Sequence, residues 1–367
     1  MDEYFTQSLT PSIDNDGSPI EIENHEVMIN GLIEDLQGTV SLDFMGESFL
    51  KDLLLDFRDE GISDIKYDGF YLIVESAKRG KYKVVVNNQI MRDVNLLLDE
   101  LERLNDKVVN MKSPYLDMDV ILLGSPTKLR FSVLHETLTN IKGIKSFCIR
   151  RNMFAKPVIN DDNVGNMVEN KPEVIEFIKD LIDINRKPNI VFSGETGSGK
   201  TEFQKYIIGQ IIPQHGVVSI QDTNDAALKK LYPEKDITEI FSNRFYTLSD
   251  GIKTALRYNP EWVIVAEIRG SEIQSFVEAL ETGHSGITTL HASSAVNTVD
   301  RMNNLAKKFG GDDISETLTT LIDYVIHLIV VFEKAEYDGK EVIVKKRVVN
   351  EIYNVKNDVM LYKYGQS

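Results

Sequence analysis

The sequence predicts an α/β protein in two parts. A parallel sheet covered by helices and closed by antiparallel tail strands forms the C-terminal domain, and a smaller α+β domain precedes it. Three observations predict this. From residue 172 onward, short apolar runs alternate with helical stretches, the pattern of βαβ crossovers. From about Val27 to Arg151, helix and strand patterns are mixed without that alternation. At 367 residues, 42% of them hydrophobic and 27% charged, the chain is also long enough to bury two cores.

The charge balance narrows the function. A formal net charge of −16 at pH 7 repels nucleic-acid phosphates and anionic lipid, so no stable nucleic-acid binding is expected. Cys148 is the single cysteine, which excludes an intrachain disulfide and a multi-cysteine zinc site. Residues 1–26 lack the basic start and apolar core of a signal peptide, and their acidic, polar make-up predicts a flexible lead-in. YVIHLIVVF, the longest apolar run near the end, is far too short to span a membrane. The expected setting is cytoplasmic, with any membrane contact peripheral or through partners.

In the N-terminal domain, residues 27–151, FLKDLLLDFRDE reads as a helix. ISDIKYDGFYLIVES is strand-like throughout, followed by the turn AKRGK and the strand YKVVV. Ile90, Val94, Leu97, Leu101 and Leu104 then recur at steps of four, three, four and three, one apolar face of a helix. The stripe is too short for a coiled-coil seam and predicts the core face of a domain helix. DMDVILLG, KLRFSVLHE and SFCIRRN supply further strands. Residues 152–171, polar and without a sustained period, read as a linker with a short helical turn.

The C-terminal domain, residues 172–367, opens with the helix PEVIEFIKDLIDINR, whose Pro172 suits a first turn. NIVFSG, VVSIQD, WVIVAE and GITTLHA follow as strands separated by helical stretches, the first from Lys200 to about Ile212. The tail, YVIHLIVVFEK, the turn AEYDGKE, VIVKKRVVNEIYNV and DVMLYKY, reads as antiparallel strands.

The strongest motif is GETGSGKT: Gly194, Glu195, Thr196, Gly197, Ser198, Gly199, Lys200 and Thr201. It fits G-x-x-x-x-G-K-[ST] and lies between a strand and a helix, where its glycines let the backbone wrap a polyphosphate. The helix that begins there, Thr201 and Glu202 included, presents its positive end to negative charge. Lys200 adds a full charge at the β and γ phosphates, and Thr201 offers a hydroxyl to Mg²⁺. ATP with Mg²⁺ is the expected ligand.

Ligands of open α/β sheets gather at the carboxyl ends of the strands. VVSIQD ends on Asp222, WVIVAE ends on Glu267, and GITTLHA carries His291. Glu267 follows a run without charge, Trp262 to Ala266, and is the best group to polarise an attacking water. It also stands near any metal. Ala266 occupies the place where a second acid would serve that metal, so the task falls to Asp222, acting through a water beside Thr201. Asp222, within QDTND, reads equally as a turn residue. His284 and His291 lie seven apart, a spacing that puts them on opposite faces of a strand, and nothing nearby completes a zinc shell. They read as buried, hydrogen-bonded histidines, or one of them as a sensor of the γ phosphate. A cation must offset charge on the transferring phosphoryl group. Arg244, Arg257 and Arg269 are available in the C-terminal domain, and Arg130, Arg150 and Arg151 in the N-terminal one.

GETGSGKT, IQDTND, LRYNPEWVIVAEIRG and GHSGITTLHASS together resemble the type II/type IV secretion and type IV pilus ATPases, the traffic ATPase superfamily. They match, in order, its Walker A loop, Asp box, atypical Walker B and His box. SPYLDMDVILLGSPTKLRFSV and IKSFCIRRN are similar to the N-terminal domain of the conjugation (VirB-type) and tight-adherence (Cpa-type) branches, so the resemblance covers most of the chain after about residue 45. It implies a RecA-like C-terminal domain, Mg²⁺-dependent ATP hydrolysis, a homo-oligomer in the form of a hexameric ring, and inner-membrane secretion or pilus machinery as partners. By motif it implies phosphate and Mg²⁺ contacts for Lys200 and Thr201, an Asp-box role for Asp222, the catalytic glutamate for Glu267 and His-box roles for His284 and His291. Arg269 is a further catalytic candidate. The N-terminal domain of this family helps close the nucleotide pocket, which would bring Arg130, Arg150 or Arg151 to it.

Two departures from the pattern stand out. The Asp box begins with Gln221 instead of Glu, losing one carboxylate, and Ala266 replaces the Walker B glycine. The expectation is a motor that powers secretion, conjugation or pilus assembly. Two alternatives share its motifs: an ATP-dependent assembly scaffold with little turnover, which Gln221 favours, and a DNA-translocating motor, which the charge disfavours.

Overall fold

The computed structural model describes residues 39–55, 61–122, 127–139, 141–153, 158–182, 186–211, 214–223 and 226–366. The expected lead-in, residues 1–26, lies outside them, as does the end of the FLKDLLLDFRDE helix.

The N-terminal sheet contains β1 (Thr39–Val40), β2 (Ile62–Tyr67), β3 (Tyr71–Ser76), β4 (Gly80–Val85), β5 (Tyr115–Leu122), β6 (Thr127–Leu134) and β7 (Ser146–Met153), in the order β1-β5-β6-β7-β2-β3-β4. Every pairing except β1 with β5 is antiparallel. Helices α1 (Phe49–Leu55) and α2 (Asn88–Leu104) bury their apolar faces with it, and α3 (Glu136–Thr139) is a single turn. The leucine stripe is the core face of α2: Ile90, Val94, Leu97 and Leu101 are buried with Leu50, Ile65, Phe131 and Ile149. Asn87 starts this helix by accepting a hydrogen bond from the Ile90 amide.

The strand-like reading across ISDIKYDGFYLIVES needs a correction. Asp68 and Gly69, the latter at φ +98°, reverse the chain between β2 and β3. Asp68 Oδ1 accepts from the amides of Phe70 and Tyr71, so a local turn outcompetes continued extension.

The second sheet contains β8 (Ile190–Gly194), β9 (Val217–Gln221), β10 (Ile237–Phe241), β11 (Trp262–Val265), β12 (Ser285–Leu290), β13 (Tyr324–Tyr337), β14 (Lys340–Asn354) and β15 (Val359–Lys363). Their order is β10-β9-β11-β12-β8-β13-β14-β15, parallel through β13 and antiparallel in β14 and β15. The parallel sheet is the one the alternating segments predict, but the first tail segment, YVIHLIVVFEK, extends it, since Tyr324–Leu328 pairs parallel with β8 and only β14 and β15 add antiparallel. Helices α4 (Pro172–Asp180), α5 (Lys200–Gln210), α6 (Leu228–Leu231), α7 (Leu248–Ala255), α8 (Glu272–Glu281), α9 (Asn297–Lys308) and α10 (Ser315–Leu321) connect the strands and cover both faces.

The central strand β11 explains the uncharged run before Glu267. Trp262 and Ile264 enter the apolar cluster on the α5 side, with Phe203 and Ile207. Val263 and Val265 enter the opposite cluster, with Phe276 of α8 and Met302 of α9. A strand buried on both faces has no position for a charge until it ends. Residues 158–171 contain a 3₁₀ turn at Val164–Met167 and also join this core, because Ile159, Val164, Met167 and Val168 pack in the Trp262 cluster.

Only the first part of β13, Tyr324 to Leu328, pairs with β8; beyond it β13 pairs with β14 alone among the described residues. The β13–β14 hairpin therefore runs past the second sheet and meets the edge of the first. Lys345 Nζ is 2.5 Å from Glu75 Oε1, and the Arg79 guanidinium stacks 4.7 Å above the Tyr337 ring. A Cβ on Gly80 would collide with the Ile343 carbonyl oxygen. Among the described residues, no helix is long and apolar enough to cross a membrane.

Candidate functional site

The sheet order gathers the site. β9, β11, β12 and β8 are successive parallel neighbours, so Asp222, Glu267, His291 and the loop 194–199 emerge from adjacent carboxyl ends. Strands about 4.8 Å apart turn large separations in sequence into direct contact.

The loop is shaped for a polyphosphate. Gly194 has φ +141° where a Cβ would strike the Leu328 carbonyl oxygen, and Gly199 starts α5 from a left-handed conformation without a side-chain cap. The first amides of α5 are thus open to an anion. Lys200 Nζ donates to the carbonyls of Gly194 (2.9 Å) and Glu195 (3.0 Å) and lies 3.3 Å from His291 Nδ1. Burial lowers the Lys200 pKa, and the nearby Glu267 charge opposes that shift. Ser198 Oγ is buried with no partner among the described residues, an orphaned donor inside the cradle. Thr201 follows Lys200 in the first turn of α5.

Glu267 is the electrostatic centre. Arg269 Nη2 donates to its Oε2 at 2.7 Å, and Nη1 of the same guanidinium reaches Asp222 Oδ2 at 3.1 Å. His291 Nε2 lies 3.1 Å from Glu267 Oε1, while its Nδ1 lies 3.0 Å from the Gly194 carbonyl oxygen. Burial alone would raise the Glu267 pKa, but Arg269, His291 and Lys200 together hold it below the ordinary glutamate value. The carboxylate is therefore an anion at neutral pH, a competent acceptor for a proton of bound water. Among the described residues, no three of His, Cys, Asp or Glu gather into a metal site of protein groups alone.

Gln221 also has a local explanation. It is 1% exposed, and its Nε2 donates to Glu239 Oε1 on β10 at 2.8 Å. The Glu239 carboxylate also accepts the amides of Leu228 and Lys229 at the start of α6. An amide fits beside that acid, where a carboxylate would repel it.

Some expected residues lie elsewhere. His284 sits at the other end of β12 from His291, with its Nδ1 near Thr282 Oγ1 and the Ala279 carbonyl. The seven-residue spacing is the strand itself, about 20 Å long, so only His291 reaches the rim. Glu202 Oε1 pairs with Lys205 at 2.8 Å. Arg130 and Arg150 lie on the face of the N-terminal sheet opposite its core, in the cross-strand series Asp119–Arg130–Arg150–Asp64, with ion pairs of 3.2 and 3.1 Å at its ends. Arg151 Nη1 donates to the Ile62 carbonyl. Among the described residues, no hydrogen bond joins any of these three arginines to loop residues 194–201. Arg244 stacks on Phe245, and Arg257 is exposed. Conversely, Arg347 on β14 donates from Nε to the Gly197 carbonyl at 2.9 Å, a loop contact the sequence reading did not anticipate.

The fold and this rim define an α/β protein built around a phosphate-fitting loop. The sequence model for type II/IV secretion system proteins matches residues 127–354, more than half of the chain, and the chain belongs to that family. It is 28% identical over 330 residues to an uncharacterized protein of Bacillus anthracis, covering 88% of this chain and 70% of that one. It is 26% identical over 273 residues to the type IV secretion system protein VirB11 of Bartonella quintana, covering 67% and 74%. The solved structure of the Legionella pneumophila ATPase DotB superposes with a TM-score of 0.58 at 19% identity, over 85% of this chain and 84% of that one, a likeness of fold.

Proposed function

We propose that this chain is an ATP-hydrolysing motor of a type IV secretion-like or pilus-like machine. The observation that carries the reading is the meeting of Lys200, Glu267, His291 and Asp222, from four neighbouring strands, around one phosphate-fitting loop. The amides of residues 194–199 and Lys200 hold the triphosphate. Thr201 and Asp222 would hold Mg²⁺, which would supply charge neutralisation at the phosphate oxygens. Glu267 accepts a hydrogen bond from the attacking water and aims it at the terminal phosphorus. Arg269 keeps Glu267 ionised and ties it to Asp222, and His291 fixes the other carboxylate oxygen.

The likeness to VirB11, a type IV secretion system protein, supports this setting, and the family resemblance implies a homo-oligomeric, hexameric ring at the cytoplasmic face of a membrane. Residues 27–151 and 172–367 then act as two domains joined by 152–171, and Arg130, Arg150 or Arg151 meets the nucleotide of a neighbouring subunit. The scaffold alternative rests on Gln221, whose amide also serves Glu239. The test is phosphate release from ATP by the purified chain with Mg²⁺. Turnover that vanishes in Lys200→Ala supports the motor, and no release by the wild type, alone or with membranes, refutes it.

A further inference from the structure

Strand β14 touches both halves of the molecule within two residues. Lys345 pairs with Glu75 on β3 of the N-terminal sheet. Arg347, next on the same face of the strand, donates from Nε to the carbonyl of Gly197 in the loop. Its aliphatic chain closes over Gly199, where an added Cβ would lie 3.1 Å from Arg347 Cδ. The intervening Lys346 pairs with Glu333 on β13, 3.3 Å away.

The remaining guanidinium nitrogens of Arg347 bond to nothing else among the described residues. Among the described residues, Arg347 forms no ion pair with a carboxylate. The Nε bond anchors the guanidinium at the Gly197 carbonyl, so its terminal nitrogens lie within reach of the loop. That is the group and the geometry that bind phosphate oxygens.

We propose that Arg347 is a nucleotide-positioning residue supplied by the same chain, holding a phosphate oxygen beside Gly197 and Gly199, and that β14 passes the occupancy of the loop to the N-terminal sheet through Lys345 and Glu75. The proposal rests on the nucleotide reading of the loop. The relay is mechanical. Arg347 pairs with Val330 and Lys345 with Phe332 in an unbroken ladder, so their backbone positions are fixed to one another. The far end is in close contact, with the Ile343 carbonyl in the space beside Gly80. Linkage then requires that whatever ADP does to β3 and β4, those strands do in return to ADP affinity.

The experiment uses the full chain with Mg²⁺ and a fluorescent ADP for affinity, and hydrogen exchange at residues 71–85 with and without saturating ADP. Wild type, Lys200→Ala, Arg347→Ala, Arg347→Lys, Glu75→Gln and Lys345→Met are compared, each with a thermal melt to establish folding. Arg347→Ala should weaken ADP about tenfold, and Arg347→Lys should recover only part of it, since a point charge cannot replace the fork. Exchange at 71–85 should respond to ADP in the wild type and not in Arg347→Ala, Glu75→Gln or Lys345→Met. Wild-type affinity in Arg347→Ala overturns the positioning role, and a response that survives in Glu75→Gln and Lys345→Met overturns the relay. If either fails while the wild type binds ADP and Lys200→Ala does not, the nucleotide reading stands alone. If the wild type binds no ADP, both fall.

Discussion

Gln221 donates from its side-chain amide to the Glu239 carboxylate across β9 and β10, at 2.8 Å and with Gln221 out of contact with water. The missing Asp-box carboxylate is thus matched by an acid on the next strand. Gln221→Glu, the change that would restore the family pattern, should destabilise the fold by about 1–3 kcal/mol, because it buries like charges and removes a donor. Glu239→Gln in the same chain should recover much of that loss. Thermal unfolding of the single and double variants checks it, and a Gln221→Glu protein as stable as the wild type counts against the pairing.

Glu267→Gln keeps the shape of the side chain and removes its charge. Nucleotide binding should persist while phosphate release falls by roughly a hundredfold or more. Binding titrations and turnover on the same preparation separate the two effects. Turnover close to wild type would sink the role assigned to Glu267.

Arg269 offsets the burial of Glu267, and its removal gives a pH signature. Burial raises the glutamate pKa, and the Arg269 bond and charge are foremost among the influences that bring it down. In Arg269→Ala the Glu267 pKa rises. The carboxylate works as an anion, so residual kcat/KM should begin its acid decline at a higher pH than in the wild type. An acid limb that does not move argues that Arg269 serves some other end.

His327 predicts a pH-dependent stability. It is buried on β13 with Nδ1 2.9 Å from Ser193 Oγ, and burial lowers its pKa below the ordinary 6.5, against the pull of Glu351 and Glu195 and with the help of Lys200. The folded protein takes up this proton less readily than the unfolded chain. Stability from this residue is therefore full at higher pH and is lost as pH falls through 6.5 toward the folded value. His215, lowered chiefly by burial, adds in the same direction. His327→Gln should shrink the drop in Tm between about pH 7.5 and 5 without abolishing it. An unchanged slope would remove His327 from the account.

Much of this was readable because strand polarity and motif order determine which termini meet. GETGSGKT, Asp222, Glu267 and His291 each end or follow a run of uncharged residues, and a parallel sheet leaves those ends one rim. What escaped the reading depends on the third dimension. His284 shares a motif with His291, yet the strand between them carries it away. Arg347 sits in KKRVV, where every second residue of an exposed strand looks alike, and only the path of the hairpin brings it to Gly197. Glu239 carries no sequence mark as the partner of Gln221. The apolar anchors Ile159, Val164, Met167 and Val168 are too few among polar residues to register as core. The turn at Asp68–Gly69 was written in the sequence, since Asp-Gly is a turn pair, and the apolar residues on either side masked it.

The overhang of β13 makes the hairpin an angular amplifier. Its root, where Leu328 meets Gly194, lies beside a register shift that leaves Asn350 of β14 unpaired opposite His327 and Leu328, the kind of irregularity at which a strand bends. From Ile329 to Tyr337 the arm extends about 30 Å, so a tilt of about 5° at the root swings the tip by roughly 2.6 Å, more than half the spacing of two strands. A rotation too slight to register among the phosphate-facing amides becomes a measurable travel at Tyr337, and a distance probe belongs at the tip of the arm.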